Sequence, residues 1–91
     1  MVTIAQLRHL IRTLSYVVST HAADVLDDDN LSILDLENVV LTGSIVERQR
    51  DRATRETKYV IRGASLEGIS GEVVAKIGRS GQLVIITIYL C

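Results

Sequence analysis

The sequence contains no proline, phenylalanine or tryptophan, and its only aromatic residues are three tyrosines. Hydrophobic residues still make up 47% of the 91 residues, so the core has to be built from isoleucine, valine and leucine. This composition is typical of an ordered domain and excludes a disordered chain. Without proline, the backbone must be interrupted by glycine, asparagine, aspartate and serine. The length predicts a single domain, residues 1–91.

Cysteine is equally scarce. The single thiol, that of Cys91, excludes an internal disulfide and any metal cluster built from several cysteines. The run 27–29 is acidic but lacks the spaced ligands and the glycine of a calcium loop. We therefore expect neither a metal nor another cofactor.

Long apolar runs are also missing. No stretch approaches the roughly 20 apolar residues that span a bilayer, and the first residues lack the basic and then apolar regions of a signal peptide. The formal net charge of −1 by itself predicts no attraction to nucleic acid or to an anionic membrane. The sequence therefore predicts a cytoplasmic protein with no membrane partner.

Helical periodicity dominates the first half. Residues 3–15 are predicted to form an N-terminal amphipathic helix, because apolar residues recur on one stripe that ends with Leu14. A second helix is predicted from Ser19 or Thr20 to Asp28. A third follows the capping pattern of Ser32 and Asp35 and ends at Gly43.

The apolar period changes to two after Gly43, which indicates strands. Strands are predicted at 45–49, 58–62, 72–77 and 83–90, with the last one buried on both faces, and a short strand or its lead-in at 16–18. Helices followed by strands favour the α+β class. We expect N-terminal helices packed on an antiparallel sheet of four strands, within a range of three to five.

Charge is distributed unevenly along the chain. Residues 24–37 carry only acidic charge, whereas six of the ten basic residues lie between 48 and 62. Side chains alternate along a strand, so Arg48, Arg50 and Arg52 are predicted to project from one face. Such a row can bind successive phosphates. The candidate nucleic-acid-binding residues are Arg48, Arg50, Arg52, Arg55, Lys58 and Lys76.

A structural interpretation of the same charges competes with this one. The basic segment can be a solvated hairpin that protects a sheet edge, or it can pair with the acidic helix.

Four residues carry candidate catalytic chemistry. His21 opens the second helix and can act as a general acid or base, although packing and hydrogen bonding near the helix cap is the favoured interpretation. Tyr59, Arg62 and Tyr89 lie on predicted strands, where tyrosine can move protons and arginine can stabilise a phosphoryl transition state.

The order of motifs resembles a known family. His21-Ala22 opens a short helix, the segment 31–40 is similar to an "I-S-x-x-D-V-x-x-V" helix, and the chain closes with Ile85-Ile86-Thr87-Ile88-Tyr89. This order resembles a bacterial domain-of-unknown-function family with a "HAxxRM" opening and an "IITVY" close. That family in turn resembles RelE-type toxins, which are small ribonucleases paired with antitoxin proteins. The resemblance makes residues 16–91 a toxin-like region.

The resemblance implies RNA as the substrate and a small antitoxin-like protein as the partner. It also implies a RelE-like fold and metal-independent endoribonuclease chemistry with the ribose 2′-OH as the nucleophile. In that chemistry His21, Tyr59, Arg62 and Tyr89 are the catalytic candidates.

Three positions depart from the family pattern. Val25 and Asp29 stand where the pattern has arginine, and Leu26 stands where it has methionine. The loss of two cations and the gain of an anion predict local repulsion of phosphate. The sequence also ends at Cys91, where relatives continue for a short tail. Two hypotheses result: an RNA-directed toxin-type domain, with or without catalysis, and a non-enzymatic protein-interaction module or homodimer.

Overall fold

A computed structural model describes all 91 residues, Met1–Cys91. The chain forms three helices and five strands, in the order α1 (Ile4–Arg12), β1 (Tyr16–Val18), α2 (Thr20–Asp28), α3 (Ile33–Thr42), β2 (Ser44–Arg50), β3 (Thr57–Ala64), β4 (Ser70–Ile77) and β5 (Leu83–Leu90). The longest helix, α3, has ten residues, and none of the helices has the length and apolar character needed to span a membrane.

Local capping chemistry fixes where each helix begins. The side chains of Thr3, Ser19 and Ser32 each accept a backbone N–H of the first turn. In α1 and α3 the reciprocal hydrogen bond completes a capping box. The predicted starts of all three helices are therefore confirmed.

The predicted end of the first helix is wrong. The helix stops at Arg12, Thr13 caps it, and Leu14 adopts a left-handed backbone conformation with φ of 56°. Leu14 is consequently 74% exposed and does not extend the apolar stripe. A left-handed residue cannot continue a right-handed helix, and the chain turns here into β1.

The five strands form one sheet in the order β1-β5-β4-β3-β2. The four strands from β2 to β5 form an antiparallel meander, whereas β1 pairs with β5 in parallel. The expectation of a purely antiparallel sheet is therefore wrong, and the sheet is mixed. In the sequence, α2 and α3 lie between β1 and the meander. In the sheet, β1 nevertheless lies beside β5, the last strand of the meander.

All three helices cover the same face of the sheet, which we call the helical face; the other face is the open face. One core cluster joins helix residues such as Leu7, Leu26 and Leu36 to strand residues such as Ile61 and Val73. Because side chains alternate along a strand, the neighbours of these core residues on β3 and β4 point to the open face. Those neighbours are Lys58, Val60, Arg62, Glu72, Val74 and Lys76.

The last strand was predicted to be buried on both faces, and this is wrong. Leu83, Ile85 and Ile88 are fully buried on the helical face, whereas Tyr89 is 42% exposed on the open face. A register shift on β5 lies opposite Val74 and Ala75. The shift is a β-bulge, and its extra residue changes which side chains face the core. The buried residues are odd-numbered before the bulge (Leu83 and Ile85) and even-numbered after it (Ile88).

Hydrogen bonds and close packing hold α3 against the sheet. The Asn38 side chain donates to the carbonyl oxygens of Ala64 and Ser65 at 2.9 and 3.1 Å. On β1, Tyr16 donates to the Glu37 carboxylate on α3 at 2.5 Å. Burial, together with this hydrogen bond, raises the pKa of Tyr16 to about 12. The edge strand β1 and the end of β3 are therefore tied to the same helix.

The closest approach of α3 to the sheet occurs at Gly63. A Cβ atom placed there would lie 2.0 Å from the carbonyl oxygen of Val39 and 2.9 Å from Oγ1 of Thr42. Only a glycine allows the backbones to come this close. Arg62 precedes Gly63 in the chain, so this packing also fixes the backbone that carries the Arg62 side chain on the open face.

We expect Gly63→Ala to lower the free energy of unfolding by about 3 kcal/mol, since the new methyl group must push helix and strand apart. Gly71 pairs with Gly63 in the ladder, and its Cβ would meet its nearest neighbour at 3.3 Å. Gly71→Ala is therefore the matched control, with an expected change within about 1 kcal/mol. Urea unfolding measures both, and equal effects would contradict the packing argument.

Candidate functional site

Strand register brings three polar side chains into one row on the open face. Arg62 on β3 pairs with Glu72 on β4, and Glu72 pairs with Tyr89 on β5. Side chains at paired positions project from the same face. Arg62, Glu72 and Tyr89 therefore lie side by side, and we call this row the open-face triad.

Glu72 is the centre of the triad. Nε of Arg62 donates to the Glu72 carboxylate at 2.7 Å, and a second guanidinium N–H and the Tyr89 hydroxyl also donate to it. Glu72 is only 6% exposed, whereas the side chain of Arg62 is 57% exposed. The carboxylate is therefore a buried anchor that holds an exposed arginine and an exposed tyrosine.

The same contacts shift the pKa values of the triad. The hydrogen bond from Tyr89, followed by that from Arg62, lowers the pKa of Glu72. The hydrogen bond to Glu72 raises the pKa of Tyr89 and also that of Arg62. Near neutral pH the site thus holds a carboxylate, a guanidinium and a neutral phenol.

This charge state limits the chemistry of the free protein. A carboxylate with a lowered pKa is a weak base, and a phenol with a raised pKa is a weak acid. Only Nε and one terminal nitrogen of the Arg62 guanidinium donate hydrogen bonds to Glu72. The other N–H groups of the guanidinium are therefore free to bind a ligand. The triad is therefore better arranged to bind an anion through Arg62 than to transfer protons.

Sequence reasoning missed Glu72. The available signal was an acidic residue directly before the apolar run 73–75 of a predicted strand. A charge in such a strand needs a partner. The sequence contains several basic residues, so only the strand register identifies Arg62 as that partner.

Two further predicted residues share the open face with the triad. Lys58 pairs with Lys76 across β3 and β4, and the Lys76 ammonium lies 2.6 Å from the Glu56 carboxylate. Four residues separate Lys58 from Arg62 on the same strand, a span of roughly 13 Å. The open face therefore carries cationic side chains at both ends of β3.

The predicted arginine row is divided in the structure. Arg48 and Arg50 share the helical face, where Arg48 pairs with Tyr59 and Arg50 with Thr57. Strand β2 ends at Arg50, so the prediction that Arg52 extends this row is wrong. Arg52 and Arg55 lie in the connection to β3, where Arg55 has a positive φ of 60°.

The other two catalytic candidates are also separated from the triad. Tyr59 is 8% exposed and belongs to the core cluster on the helical face. His21 is an exposed residue of the first turn of α2. The structure therefore brings together Arg62 and Tyr89 alone among the four.

Two of the residues expected to weaken phosphate binding lie in the helical layer. Val25 packs against the core cluster, and Asp29 is the C-cap of α2. This helix packs against β5 from the helical face, on the opposite side of the sheet from the triad. The acidic segment therefore does not face Arg62.

One family match was found when the chain was compared with known proteins. The sequence model of a family described as "Domain of unknown function (DUF4258)" matches residues 18–90. No curated protein and no solved structure matches the chain.

The lowered pKa of Glu72 predicts a pH-dependent contribution to stability. This contribution is complete above about pH 4.5, the ordinary pKa of the group, and is lost as the pH falls through the lower pKa of the folded state. The difference in unfolding free energy between the wild type and Glu72→Gln should therefore be largest at pH 7 and shrink towards pH 3. Urea unfolding at a series of pH values measures it.

Glu67→Gln is the matched control for the loss of one acidic side chain, because Glu67 is exposed in the connection between β3 and β4. A difference between the wild type and Glu72→Gln that stays constant from pH 7 to pH 3 would show that Glu72 is not held as an anion by its two partners.

Proposed function

Because the chain belongs to the DUF4258 family, whose function is unknown, we propose a function from its own side chains: it is a RelE-like, RNA-directed domain that binds RNA on its open face. The observation that carries this proposal is the exposed guanidinium of Arg62, held in place by the buried carboxylate of Glu72. A small antitoxin-like protein is the proposed partner.

A pre-oriented arginine is suited to phosphate binding. The hydrogen bonds to Glu72 fix the guanidinium plane before any ligand arrives, so less side-chain entropy is lost on binding. The N–H groups left over are charge-assisted donors for phosphate oxygens. Lys58, at the other end of β3, adds a second cation on the same face, which supports contact with a separate phosphate.

Tyr89 supplies a second kind of contact. It is 42% exposed on the side of Glu72 opposite Arg62, and its hydroxyl is fixed by Glu72. RNA in single strands is recognised largely by the stacking of unpaired bases on aromatic and guanidinium planes. The pair of Arg62 and Tyr89 therefore supports recognition of a phosphate and an adjacent unpaired base.

Cleavage of RNA without a metal would use the same three groups. Glu72 would take the proton of the 2′-OH, whose oxygen attacks the adjacent phosphorus. Tyr89 would protonate the departing 5′ oxygen, and Arg62 would stabilise the charge on the phosphoryl oxygens. In the free protein the Tyr89 hydroxyl donates a hydrogen bond to Glu72, so cleavage requires RNA to break that hydrogen bond. Binding is the activity that the geometry supports best.

A protein-interaction module is the second candidate function, and one surface favours it. Leu34 and Leu66 are 56% and 58% exposed, and they lie beside the hydrogen bond from the Leu66 N–H to the Asp35 carboxylate at 3.1 Å. The acidic residues of α2 precede this surface in the chain. A partner for it would combine apolar with basic side chains.

We expect the full chain to bind single-stranded RNA at low salt, and Arg62→Gln to weaken this binding about tenfold, because a charge-assisted contact is lost. The slope of log affinity against log salt should fall by roughly 0.7. Fluorescence anisotropy with a labelled oligonucleotide measures both quantities.

Arg79→Gln, in the turn between β4 and β5, is the matched control for the loss of one exposed arginine. Arg62→Gln leaves Glu72 with fewer donors, so its fold must be checked by its unfolding curve. Lys58→Gln tests the same face without touching the triad. If the wild-type chain binds no RNA at low salt, the proposal fails, and size analysis with a partner pull-down then tests the interaction module.

Cleavage is tested separately from binding. We expect RNA bound in the presence of EDTA to remain uncut, because Tyr89 occupies the carboxylate that would act as the base. Electrophoresis of labelled RNA after long incubation gives the result. Cleavage that Glu72→Gln abolishes would contradict this expectation and would make the chain a ribonuclease whose substrate displaces Tyr89.

A further inference from the structure

A cavity of about 330 Å³ opens on the helical face, on the opposite side of the sheet from the open-face triad. It lies between the residues that precede α1 and the paired ends of β2 and β3. The lining residues are Met1, Val2, Arg48, Arg50, Thr57 and Tyr59. We call it the arginine pocket.

Strand pairing builds one wall of the arginine pocket. Arg48 lies opposite Tyr59, and Arg50 lies opposite Thr57. A register shift between Ile45 and Glu47 places the two arginines on the helical face. Without that extra residue Arg48 and Arg50 would point to the open face, because side chains alternate along the strand.

The backbone ahead of α1 forms the opposite wall. Nη2 of Arg48 donates to the carbonyl oxygen of Val2 at 3.2 Å. This hydrogen bond orients the guanidinium and leaves its other N–H groups available. Because α1 begins at Ile4, the helix does not close the pocket, which stays open to solvent.

No acidic side chain neutralises the pocket. The two salt bridges of the protein join Arg62 to Glu72 and Lys76 to Glu56, so neither Arg48 nor Arg50 is paired. The other polar side chains of the lining are those of Thr57 and Tyr59. Two arginines and two hydroxyl-bearing residues thus line one concave space, and all four side chains can donate hydrogen bonds.

We propose that the arginine pocket binds the dianionic phosphate group of a phosphomonoester. Forked guanidinium donors match the spacing of phosphate oxygens, and donors from several directions suit a terminal phosphate, which offers three oxygens, better than a chain diester. The phosphate belongs either to a small phosphorylated molecule or to the phosphorylated end of an RNA. This site does not depend on the RNA proposal, since it lies on the other face.

Titration of the ¹⁵N-labelled full chain with inorganic phosphate and with pyrophosphate tests the site. We expect saturable shifts at the backbone amides of residues 2, 48, 50, 57 and 59, which Arg62→Gln leaves unchanged. Arg50→Gln should weaken binding about tenfold. Thr57→Val, which keeps the side-chain shape, should weaken it by a smaller factor.

Arg12→Gln, at the exposed end of α1, is the matched control for the loss of one arginine and should leave phosphate affinity unchanged. The dispersion of the amide signals in the NMR spectrum of each variant tests whether that variant is folded. The absence of a saturable shift at these amides would overturn the proposal. An equal effect of Arg50→Gln and Arg12→Gln would overturn it too.

The source of the phosphate is found with two matched pairs of ligands. The first pair is uridine 5′-monophosphate and uridine; the second is one RNA oligonucleotide with a 5′-phosphate and the same oligonucleotide with a 5′-hydroxyl. Tighter binding of the phosphorylated member, lost in Arg50→Gln but kept in Arg62→Gln, supports the pocket and identifies the source. If neither phosphorylated member binds more tightly, the proposal is wrong even where RNA binds the open face.

Discussion

The register of β3, β4 and β5 is the constraint on which the candidate site depends. Backbone pairing places Arg62, Glu72 and Tyr89 opposite one another, although ten residues separate the first pair and seventeen the second. Glu72 is almost buried, and a buried carboxylate without partners would be costly. A shift of two residues between β3 and β4 would place Val60 or Ala64 opposite Glu72, so the triad also favours the native pairing.

Two irregularities in the strands decide how charge is divided between the faces. The shift in β2 sends Arg48 and Arg50 to the helical face, and the shift in β5 precedes Tyr89, which points to the open face. A near-neutral chain thereby carries exposed arginine side chains on both sides of its sheet. The acidic α2 lies in the helical layer, so its carboxylates are on the opposite side of the sheet from the open-face triad.

Much of the fold could be predicted from local sequence. Helix starts were predicted well because Thr3, Ser19 and Ser32 act on backbone groups only a few residues away. The parallel pairing of β1 could not be predicted, because nothing in three residues specifies a partner strand. In the site, Arg62 and Tyr89 were predicted as candidate functional residues from their side-chain chemistry. Glu72, which accepts hydrogen bonds from both, was not predicted.

The sequence by itself determined the aliphatic core, the three helices, the strands of the meander and the uneven distribution of charge. These features depend on composition and on periodicities of two or 3.6 residues, which act over a few neighbours. Only the tertiary structure decided that Arg62 pairs with Glu72 while Arg48 and Arg50 face the helices. One inserted residue in a strand reverses the direction of every side chain after it, and the sequence pattern does not mark where that residue is placed.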